Sequence, residues 1–441
     1  GQYHPRQESK ELSFGALALN RLRRSIAVVG LLATVALSAP AAAPNRAATL
    51  REIYAHAVDE AYSRHTAVES DGTTFVSTGD IEQEWLRDSS AVLMAYVETA
   101  RHDPYVETML RGAIVRQARY IQVDPYANAF TLDYKVAERK FEVDSLLYPI
   151  WFASHYWKAT GDRSIFTGEL QRMFARVLVV LRTEQHHDTR SKYRSVALLG
   201  GTNGTPVAYT GMIWTGFRPS DDPAQYQYNI PENMLAVVVL RDLTRIERKV
   251  YRDNRMAMEA WGLSEQVELA VERYGTAFVP GDGRIYAYEV DGFGHANLMD
   301  DANVPSLLSI PYFGYVPATD STYRQTRRFV LSDKNPFFYA GTYAQGVGSP
   351  HTPRGYVWPL ALVVQALTST DSAETDRVMG YIAQSDTGNH VLHESFYVDD
   401  PHKFTRADFA WPNALFAELM RRRAQSRSPV AAVFSRPVHS K

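Results

Sequence analysis

The sequence predicts a large all-α domain with short β-hairpins in the loops between its helices. Three observations support this prediction. Apolar residues recur at helical spacing over many stretches, the strand signals between them are short, and no linker-like or low-complexity stretch divides the folded part. With 441 residues, 45% of them hydrophobic and 22% charged, the chain can bury a substantial core within one domain.

The predicted helices begin and end at residues with suitable backbone preferences. Gly161 can close the helix predicted over 144–160, because glycine adopts the left-handed conformation of a C-cap at little cost. Asn229 and Pro231 can open another helix, as its cap and its first-turn proline. An alternating pattern over 283–290 predicts one strand of a small hairpin. The other helices are predicted over 48–64, 89–100, 106–121, 164–186, 231–250, 255–275, 320–331, 355–368, 375–386 and 408–424.

Residues 1–46 are predicted to form an N-terminal extension with the features of a secretory signal. A positive region at 21–24 precedes an apolar run at 26–39, and small residues at 39–43 offer cleavage sites. The apolar run is shorter than the ~20 residues that a helix needs to span a bilayer. We therefore expect an exported protein (secreted, periplasmic or at the cell surface) without stable membrane association after cleavage, and an uncleaved signal anchor is the alternative. The folded domain is predicted over 47–424, followed by a C-terminal tail over 425–441.

Composition and motifs narrow the classes of function. The net charge is −2 and the folded part has no basic block, so nucleic acid is not expected as a partner. The chain has no cysteine, which excludes disulfides, thiolate catalysis and cysteine metal sites. It has no His-Glu-x-x-His motif, EF-hand spacing, phosphate loop or dinucleotide fingerprint. No metal and no cofactor are therefore predicted.

A short segment, Ser77–Ser89, combines a tryptophan, an arginine and several carboxylates after a Thr-Gly turn. Carboxylates and arginine can bond the hydroxyls of a sugar, and an indole ring can cover its apolar face. Alone, this segment could be a helix start with ordinary surface charges. Similar clusters recur between the predicted helices at 217–222, 299–305, 348–352 and 393–396. Because loops on a rigid helical scaffold often carry active-site groups, the clusters together predict a sugar-binding pocket.

These motifs also carry a resemblance to a known family. In chain order they are Thr78–Ile81 with Trp85–Ser89, Phe141–Leu146, Phe217–Asp222, Glu289–Gly294, Asp300–Pro305, Ser349–Thr352 and His393–Phe396. With them, from about residue 49 to about residue 421, the sequence resembles the exo-α-1,6-mannosidases of glycoside hydrolase family 125. The resemblance implies an (α/α)6 toroid with a pocket at one end, and metal-independent, inverting hydrolysis of a mannose-containing glycan. One departure, Glu82-Gln83-Glu84 where relatives usually have Pro-Ala-Met, is expected to add two negative charges beside the pocket.

Hydrolysis of a glycosidic bond needs two carboxyl groups, one that protonates the leaving oxygen and one that activates water or attacks the sugar. On the resemblance, Glu394 is expected to be the general base, because it lies in the His393–Phe396 motif among apolar and aromatic residues. A buried glutamate paired with Arg406 is the alternative reading. The general acid is expected in the pair Asp221 and Asp222, with Asp221 favoured and the other residue bracing the loop.

The remaining candidates are expected to bind the sugar. By the resemblance, Arg87 and Asp88 hold the terminal mannose through its hydroxyls, although an adjacent pair of this kind could be a surface ion pair. His351 is a donor and acceptor suited to a sugar hydroxyl. One indole among Trp85, Trp214 and Trp358 is expected to stack on the sugar. Further binding candidates from the motifs are Asp80, Trp85, Arg218, Asp300, Asp301 and Asn303, of which the last three line the pocket or knit the loop before Pro305.

The sequence therefore predicts an exported, inverting exo-α-mannosidase that removes terminal α-1,6-linked mannose. Three alternatives remain open: another inverting (α/α)6 glycosidase such as an α-glucoside hydrolase, a catalytically idle glycan-binding protein, and a helical scaffold. A scaffold does not explain why charged and aromatic residues cluster at successive junctions between helices.

Overall fold

The computed structural model of the protein describes residues 45–427. The predicted signal segment at 21–43 lies outside these residues, as does most of the predicted tail. Within the described part, thirteen α-helices follow one another: α1 (Arg46–Ser63), α2 (Leu86–Met94), α3 (Pro104–Val123), α4 (Val143–Thr160), α5 (Gly168–Glu184), α6 (His187–Arg190), α7 (Ile230–Ile246), α8 (Asn254–Tyr274), α9 (Ile310–Phe313), α10 (Ser321–Val330), α11 (Pro359–Thr368), α12 (Ser372–Gln384) and α13 (Ala410–Arg427). No helix among residues 45–427 combines the length and the apolar character needed to cross a membrane.

Six of these helices form a closed inner ring. Neighbours in the ring pack against each other in the order α2, α4, α7, α9, α11 and α13, and α13 returns to α2. The helices between them in the sequence form the outer layer, where α1 packs on α13, α3 and α5 pack on α4, α8 packs on α7, and α12 packs on α11. Arg327 of α10 reaches α11 by donating to Gln365 O and Thr368 Oγ1. This alternation of inner and outer helices is the (α/α)6 toroid that the resemblance implied.

The strands are short and antiparallel, and they lie in the loops between helices. Between residues 45 and 427 they form six small sheets of two or three strands each. The strands are β1 (Thr66–Val68), β2 (Thr74–Val76), β3 (Glu84–Trp85), β4 (Ala129–Phe130), β5 (Val136–Glu138), β6 (Tyr228–Asn229), β7 (Thr276–Val279), β8 (Gly283–Tyr286), β9 (Glu289–Val290), β10 (Ala296–Asn297), β11 (Phe338–Ala340), β12 (Gln345–Val347), β13 (Tyr356–Val357), β14 (Ser395–Tyr397) and β15 (Asp400–Thr405). The prediction of an all-α domain with β-hairpins in its loops is confirmed.

The predicted helix ends are confirmed where local chemistry defines them. Gly161 has φ of 75° and closes α4, with its N–H donated to Trp157 O at 2.8 Å. Asn229 Oδ1 accepts from Glu232 N at 3.0 Å and caps α7, whose first turn contains Pro231. Residues 283–290 are split between β8 and β9, because Ala287 N turns away to bond Gly275 O.

Several predicted helix bounds differ from the structure. The helix predicted over 89–100 begins earlier, at Leu86, and ends at Met94. It ends there because the backbone hydrogen bonds that follow join the N–H of residue i+3 to the C=O of residue i, which is the tighter pattern of a 3₁₀ turn. The helix predicted over 355–368 begins at Pro359, since residues 356–357 pair with β14 instead. The single turn α9, which completes the inner ring, was not predicted because it is shorter than the window in which helical periodicity can be recognised. The last helix runs on to Arg427, past the predicted start of the tail at 425.

Candidate active site

A pocket of about 500 Å³, measured to its mouth in open solvent, lies at one end of the inner ring. Its walls come from the segments that lead into the inner helices α2, α7, α9, α11 and α13, and from the first turn of α2. Seven of the predicted site residues line it: Trp85, Arg87, Asp88, Asp221, Asn303, His351 and Glu394. The inter-helix clusters of the sequence therefore converge on one pocket.

Arg87 lines the pocket and is paired with buried carboxyl groups. Its Nη1 donates to Glu142 Oε2 at 2.7 Å and lies 3.4 Å from Asp144 Oδ2. Its Nη2 lies 3.4 Å from Asp88 Oδ2 and 4.0 Å from Asp221 Oδ1. The Arg87 side chain is only 3% exposed, so this is a buried network and not the surface ion pair considered from the sequence. Burial raises the pKa of Asp144 to about 6, against the opposing charge of Arg87.

Four polar atoms of residues that line the pocket are buried without a hydrogen-bond partner. They are Trp85 Nε1, Arg87 Nε, Asp88 Oδ2 and Ser220 Oγ, and of these Asp88 Oδ2 has the ion-pair contact with Arg87 Nη2. An unsatisfied buried donor or acceptor is unfavourable by roughly 1–3 kcal/mol, so such groups are uncommon unless a ligand completes them. A sugar presents hydroxyl groups that can serve a donor and an acceptor at once, which makes this wall suited to bind one.

The adjacent carboxylates Asp221 and Asp222 point in different directions, as the sequence suggested. Asp221 lines the pocket and accepts from Asn128 Nδ2 at 3.1 Å. It has φ of 65°, a left-handed conformation that aspartate adopts more readily than most residues, and it lies in a turn closed by Asp221 N donating to Arg218 O. Asp222 does not line the pocket. It lies 3.1 Å from His351 Nδ1, and this hydrogen bond raises the pKa of His351.

Glu394 lies on the opposite wall, in the segment that leads to α13. It is 7% exposed, and its Oε1 lies 3.9 Å from Arg406 Nη1. Arg406 in turn donates to Asp80 Oδ1 from Nε at 2.8 Å and stacks on Phe409 at 4.5 Å. The structure therefore contains the pairing with Arg406 that the alternative reading required, but it also places Glu394 at the pocket. Asp80 does not line the pocket and acts on it through Arg406.

Three further predicted binding residues, Arg218, Asp300 and Asp301, do not line the pocket. Arg218 makes a bidentate pair with Glu289, at 2.6 and 3.0 Å, which fixes the loop that carries Asp221. Asp300 is fully buried and accepts from the backbone of Leu307 and Leu308.

Burial of Asp300 raises the pKa of its carboxyl group to about 8, although the hydrogen bonds from Leu307 N and Leu308 N lower it. Asp301 Oδ1 accepts from Asn303 Nδ2 at 3.2 Å and so orients a side chain that does line the pocket. Asp300 and Asp301 thus knit the loop before Pro305, which is the second of the two roles expected for them.

Two of the three tryptophans predicted as candidates for stacking on the sugar line the pocket. Trp85 and Trp358 line the pocket, and Trp358 Nε1 is already bonded to Thr352 Oγ1 at 2.9 Å. Trp214 is fully buried and stacks on His187, with ring centroids 3.6 Å apart, so it belongs to the core.

The Glu82-Gln83-Glu84 departure does not add two charges to the pocket as expected. Glu84 is fully buried and lies 3.4 Å from Arg116 Nε, while it accepts from Val76 N at 3.3 Å. Burial raises the pKa of Glu84 to about 8, against the charge of Arg116. The side chain points away from the pocket because residues 84 and 85 form a strand, in which successive side chains face opposite sides.

Several residues of the site carried no predicted role. The pocket is also lined by Thr78, Ile81, Pro219, Ser220, Arg406 and Phe409. Beneath it lie the buried carboxyl groups of Glu142, Asp144 and Glu232. Glu142 and Asp144 belong to the motif Phe141–Leu146. Two acidic residues at the start of an apolar helix could have indicated that they face polar groups. Glu232 follows Pro231 in the first turn of α7, a position where glutamate is common, so the sequence offered no signal for it.

Among residues 45–427, one group of acidic and histidine side chains brings its possible metal-ligand atoms within 4.8 Å of one another. It consists of Glu60, His65 and Asp408, with His65 Nε2 3.3 Å from Asp408 Oδ1 and 3.9 Å from Glu60 Oε2. None of the three lines the pocket. The cluster joins the end of α1 to the segment that carries Arg406 and Phe409.

Comparison with known proteins places this site in a family. Residues 44–421 match the family of metal-independent α-mannosidases, glycoside hydrolase family 125. The chain belongs to this family. The resemblance drawn from the motifs is thereby confirmed, and this family of α-mannosidases is described as metal-independent, in agreement with the prediction that no metal takes part.

Individual relatives are similar over most of their length. The "Meiotically up-regulated gene 157 protein" of Schizosaccharomyces pombe is 35% identical over 399 residues, which cover 81% of this chain and 78% of the relative. A metal-independent α-mannosidase of Streptococcus pneumoniae, solved in a non-productive complex with α-1,6-mannobiose, is 38% identical with a TM-score of 0.83, covering 86% of this α-mannosidase and 95% of that chain. A glucoamylase of Saccharomycopsis fibuligera, 11% identical with a TM-score of 0.62 over 87% and 96% of the two chains, shares the fold.

Proposed function

We propose that this α-mannosidase is an exo-acting, inverting enzyme that hydrolyses terminal α-1,6-linked mannose. The observation that carries the proposal is the placement of Asp221 and Glu394 on one pocket from opposite sides of the ring. Asp221 precedes α7 and Glu394 precedes α13, and these helices are three positions apart in a ring of six. Inversion requires water to attack the face of the sugar opposite the leaving group, so an acid and a base on opposite walls suit it.

In the proposed reaction, Glu394 takes a proton from a water molecule whose oxygen bonds to the anomeric carbon. The bond from that carbon to the glycosidic oxygen breaks, and Asp221 gives its proton to this oxygen. The products are mannose of inverted configuration and the shortened glycan. Glu394 then releases its proton to solvent and the acid is reprotonated. Arg406 Nη1, 3.9 Å from Glu394 Oε1, pairs with the carboxyl group of the base.

The exo mode is supported by the burial of Arg87 and Asp88, which both line the pocket. Their side chains are 3% and 7% exposed, so the chain of a longer glycan could not continue past them. Trp85 Nε1, which has no partner, and Asp88 Oδ2, which has only the contact with Arg87, are suited to hold the hydroxyls of a terminal residue. The α-1,6 linkage is supported by the mannobiose bound to the Streptococcus pneumoniae relative. Export rests on the signal-like segment of the sequence alone.

Proton NMR of the purified enzyme with α-1,6-mannobiose tests the proposal, with the anomeric signals followed during the first minutes. We expect β-mannose to appear first, which would establish cleavage and inversion together. Early α-mannose would mean retention and would overturn the mechanism. If the α-1,6 disaccharide stayed intact while an α-1,2- or α-1,3-mannobiose or an α-glucoside was cleaved, the linkage or the sugar specificity would be wrong. Glu394→Gln is the matched inactive control.

A further inference from the structure

The motif Glu289–Gly294 lies between α8 and α9, and one of its side chains faces solvent. That side chain belongs to Phe293, which is 61% exposed. Other positions of the motif have a structural role. Glu289 is paired with Arg218, and Gly292 lets a neighbouring loop approach, because a Cβ atom at Gly292 would lie 2.6 Å from a backbone oxygen of that loop. No such contact within the fold accounts for the aromatic ring at Phe293.

The exposed position of Phe293 is fixed by the turn that carries it. Asp291 is buried, and its Oδ1 accepts from Phe293 N at 2.8 Å and from His295 N at 3.1 Å. Its Oδ2 lies 2.6 Å from His295 Nδ1. A large apolar ring is therefore held in water by a well-bonded turn, although its burial would be favourable. This arrangement suits a ring that is covered by a ligand.

A second ring of this turn contacts the loop of Asp221. His295 is exposed, and its ring stacks on that of Tyr226 with centroids 6.2 Å apart. Tyr226 follows Asp221 by five residues, which span about 18 Å at most. Tyr226 N also donates to Glu289 Oε2 at 3.4 Å. The turn that carries Phe293 is therefore joined to the loop that carries the proposed acid.

A third loop brings Tyr209 to the same turn. Ala208 N donates to Asp291 O at 2.9 Å. Tyr209 is exposed and stacks on His186, with ring centroids 4.6 Å apart. Several exposed aromatic rings on adjoining loops indicate a binding surface. Such rings can cover the apolar face of a sugar, while tyrosine hydroxyl and histidine nitrogen atoms can bond its hydroxyl groups.

We infer that four aromatic side chains form a binding surface for the leaving-group side of the glycan. They are Tyr209, Tyr226, Phe293 and His295. In the proposed reaction the pocket holds the terminal mannose and Asp221 faces the glycosidic oxygen, so the rest of the glycan leaves the pocket beside the loop of Asp221. The four side chains lie on that loop and on the two loops bonded to it. The inference rests on the proposed function, since it assumes that Asp221 is the acid of an exo-α-mannosidase.

Steady-state kinetics of Phe293→Ala on α-1,6-mannobiose and on linear α-1,6-mannohexaose test the inference. Mannobiose fills the pocket and one position outside it, whereas the hexaose extends over the surface. We expect wild type to have the higher kcat/KM on the hexaose. Phe293→Ala should lose about tenfold on the hexaose and less than about twofold on mannobiose. Phe293→Trp, which keeps an aromatic ring, should retain the preference for the hexaose.

Trp261→Ala is the matched control, since Trp261 is an aromatic residue of α8 in the outer layer and is 42% exposed. It should retain wild-type rates on both substrates. Equal losses on both substrates in Phe293→Ala would overturn the inference, because they would mean that Phe293 only supports the loop of Asp221. An unchanged rate on the hexaose would overturn it too, as would a wild type that does not prefer the longer substrate.

If wild type cleaved neither substrate, the proposed function would fail instead. Calorimetric titration of wild type and Phe293→Ala with the hexaose would then still decide whether the surface binds the glycan. Weaker binding to Phe293→Ala than to wild type would support the surface, and equal binding would overturn it.

Discussion

Arg406 Nη1 lies 3.9 Å from Glu394 Oε1, and the rest of the guanidinium group is held by Asp80. The guanidinium group lies beside Glu394 at a distance that leaves the carboxylate oxygens available to water. Replacing Arg406 with methionine keeps apolar contact with Phe409 but removes the charge. We expect kcat/KM to fall roughly tenfold, because the ion pair that orients Glu394 in the pocket is lost.

Steady-state kinetics on α-1,6-mannobiose measure the effect of Arg406→Met. Asp80→Asn is the control, since it leaves the charge of Arg406 in place and removes only the carboxylate that anchors it. An unchanged kcat/KM in Arg406→Met would contradict an electrostatic role for this arginine. An equal loss in both variants would assign the effect to the position of Arg406 and not to its charge.

The two adjacent carboxylates Asp221 and Asp222 should respond differently to substitution. Asp221→Asn removes the acid that faces the pocket, so we expect a loss of about 100-fold or more on mannobiose and a much smaller loss on an aryl mannoside with a good leaving group. Asp222→Asn breaks only the contact with His351, 3.1 Å away, and should cost about tenfold or less on both substrates. Steady-state kinetics on the two substrates separate the cases. The reverse pattern would make Asp222 the acid.

How much of the site was predictable depended on the kind of residue. Arg87, Asp88 and Glu394 could be proposed because the motifs that carry them resemble those of the family and lie between predicted helices. Arg218 was misplaced, since a charged residue in a motif looks the same whether it meets a ligand or a buried partner such as Glu289.

The fold, too, could be predicted only where local sequence determines it. Helices with a long apolar face were predicted correctly, and so were ends set by Gly161 or Asn229, because local chemistry defines them. The closure of the ring could not be derived from periodicity, since it depends on contacts such as α13 with α2 that join distant parts of the chain. The burial of Glu84 against Arg116 is likewise a tertiary fact, and local sequence gave no sign of which way that side chain would point.

The indole Nε1 of Trp85 is buried without a hydrogen-bond partner, so its removal should affect substrate binding more than stability. Trp85→Phe removes the donor and keeps an aromatic ring. We expect thermal stability to change little, because no hydrogen bond is lost in the free enzyme. KM for mannobiose should rise roughly tenfold, about 1.4 kcal/mol, since a bond to a substrate hydroxyl is lost.

Thermal unfolding and kinetics of Trp85→Phe are measured on the same preparation. Trp358→Phe is the control, because its Nε1 already bonds Thr352 at 2.9 Å, and here we expect a loss of stability as well. A fall in the melting temperature of Trp85→Phe with an unchanged KM would mean that the indole N–H serves the fold and not the sugar.

His65 is expected to make the stability of the protein depend on pH. Burial alone would lower the pKa of His65, but the carboxylates of Asp408 and Glu60 outweigh burial and raise it to about 9. Because the folded pKa lies above the ordinary value of 6.5, the stabilisation is fully present below pH 6.5 and is lost as the pH rises through 9. The free energy of unfolding should therefore fall by about 3 kcal/mol over this window from this residue.

Denaturant unfolding of wild type and His65→Gln between pH 6 and pH 9.5 checks this prediction. The variant should be less stable at pH 6, and the difference between the two proteins should shrink as the pH rises, because neutral histidine gains little from the two carboxylates. His56→Gln is the control, since His56 lies 3.3 Å from Glu60 but is more exposed. The cluster could instead hold a metal ion, so the series is repeated with EDTA. If the stability difference between the two proteins grows with pH without EDTA and disappears with EDTA, the stabilisation comes from a metal-bound His65 and not from a charged one.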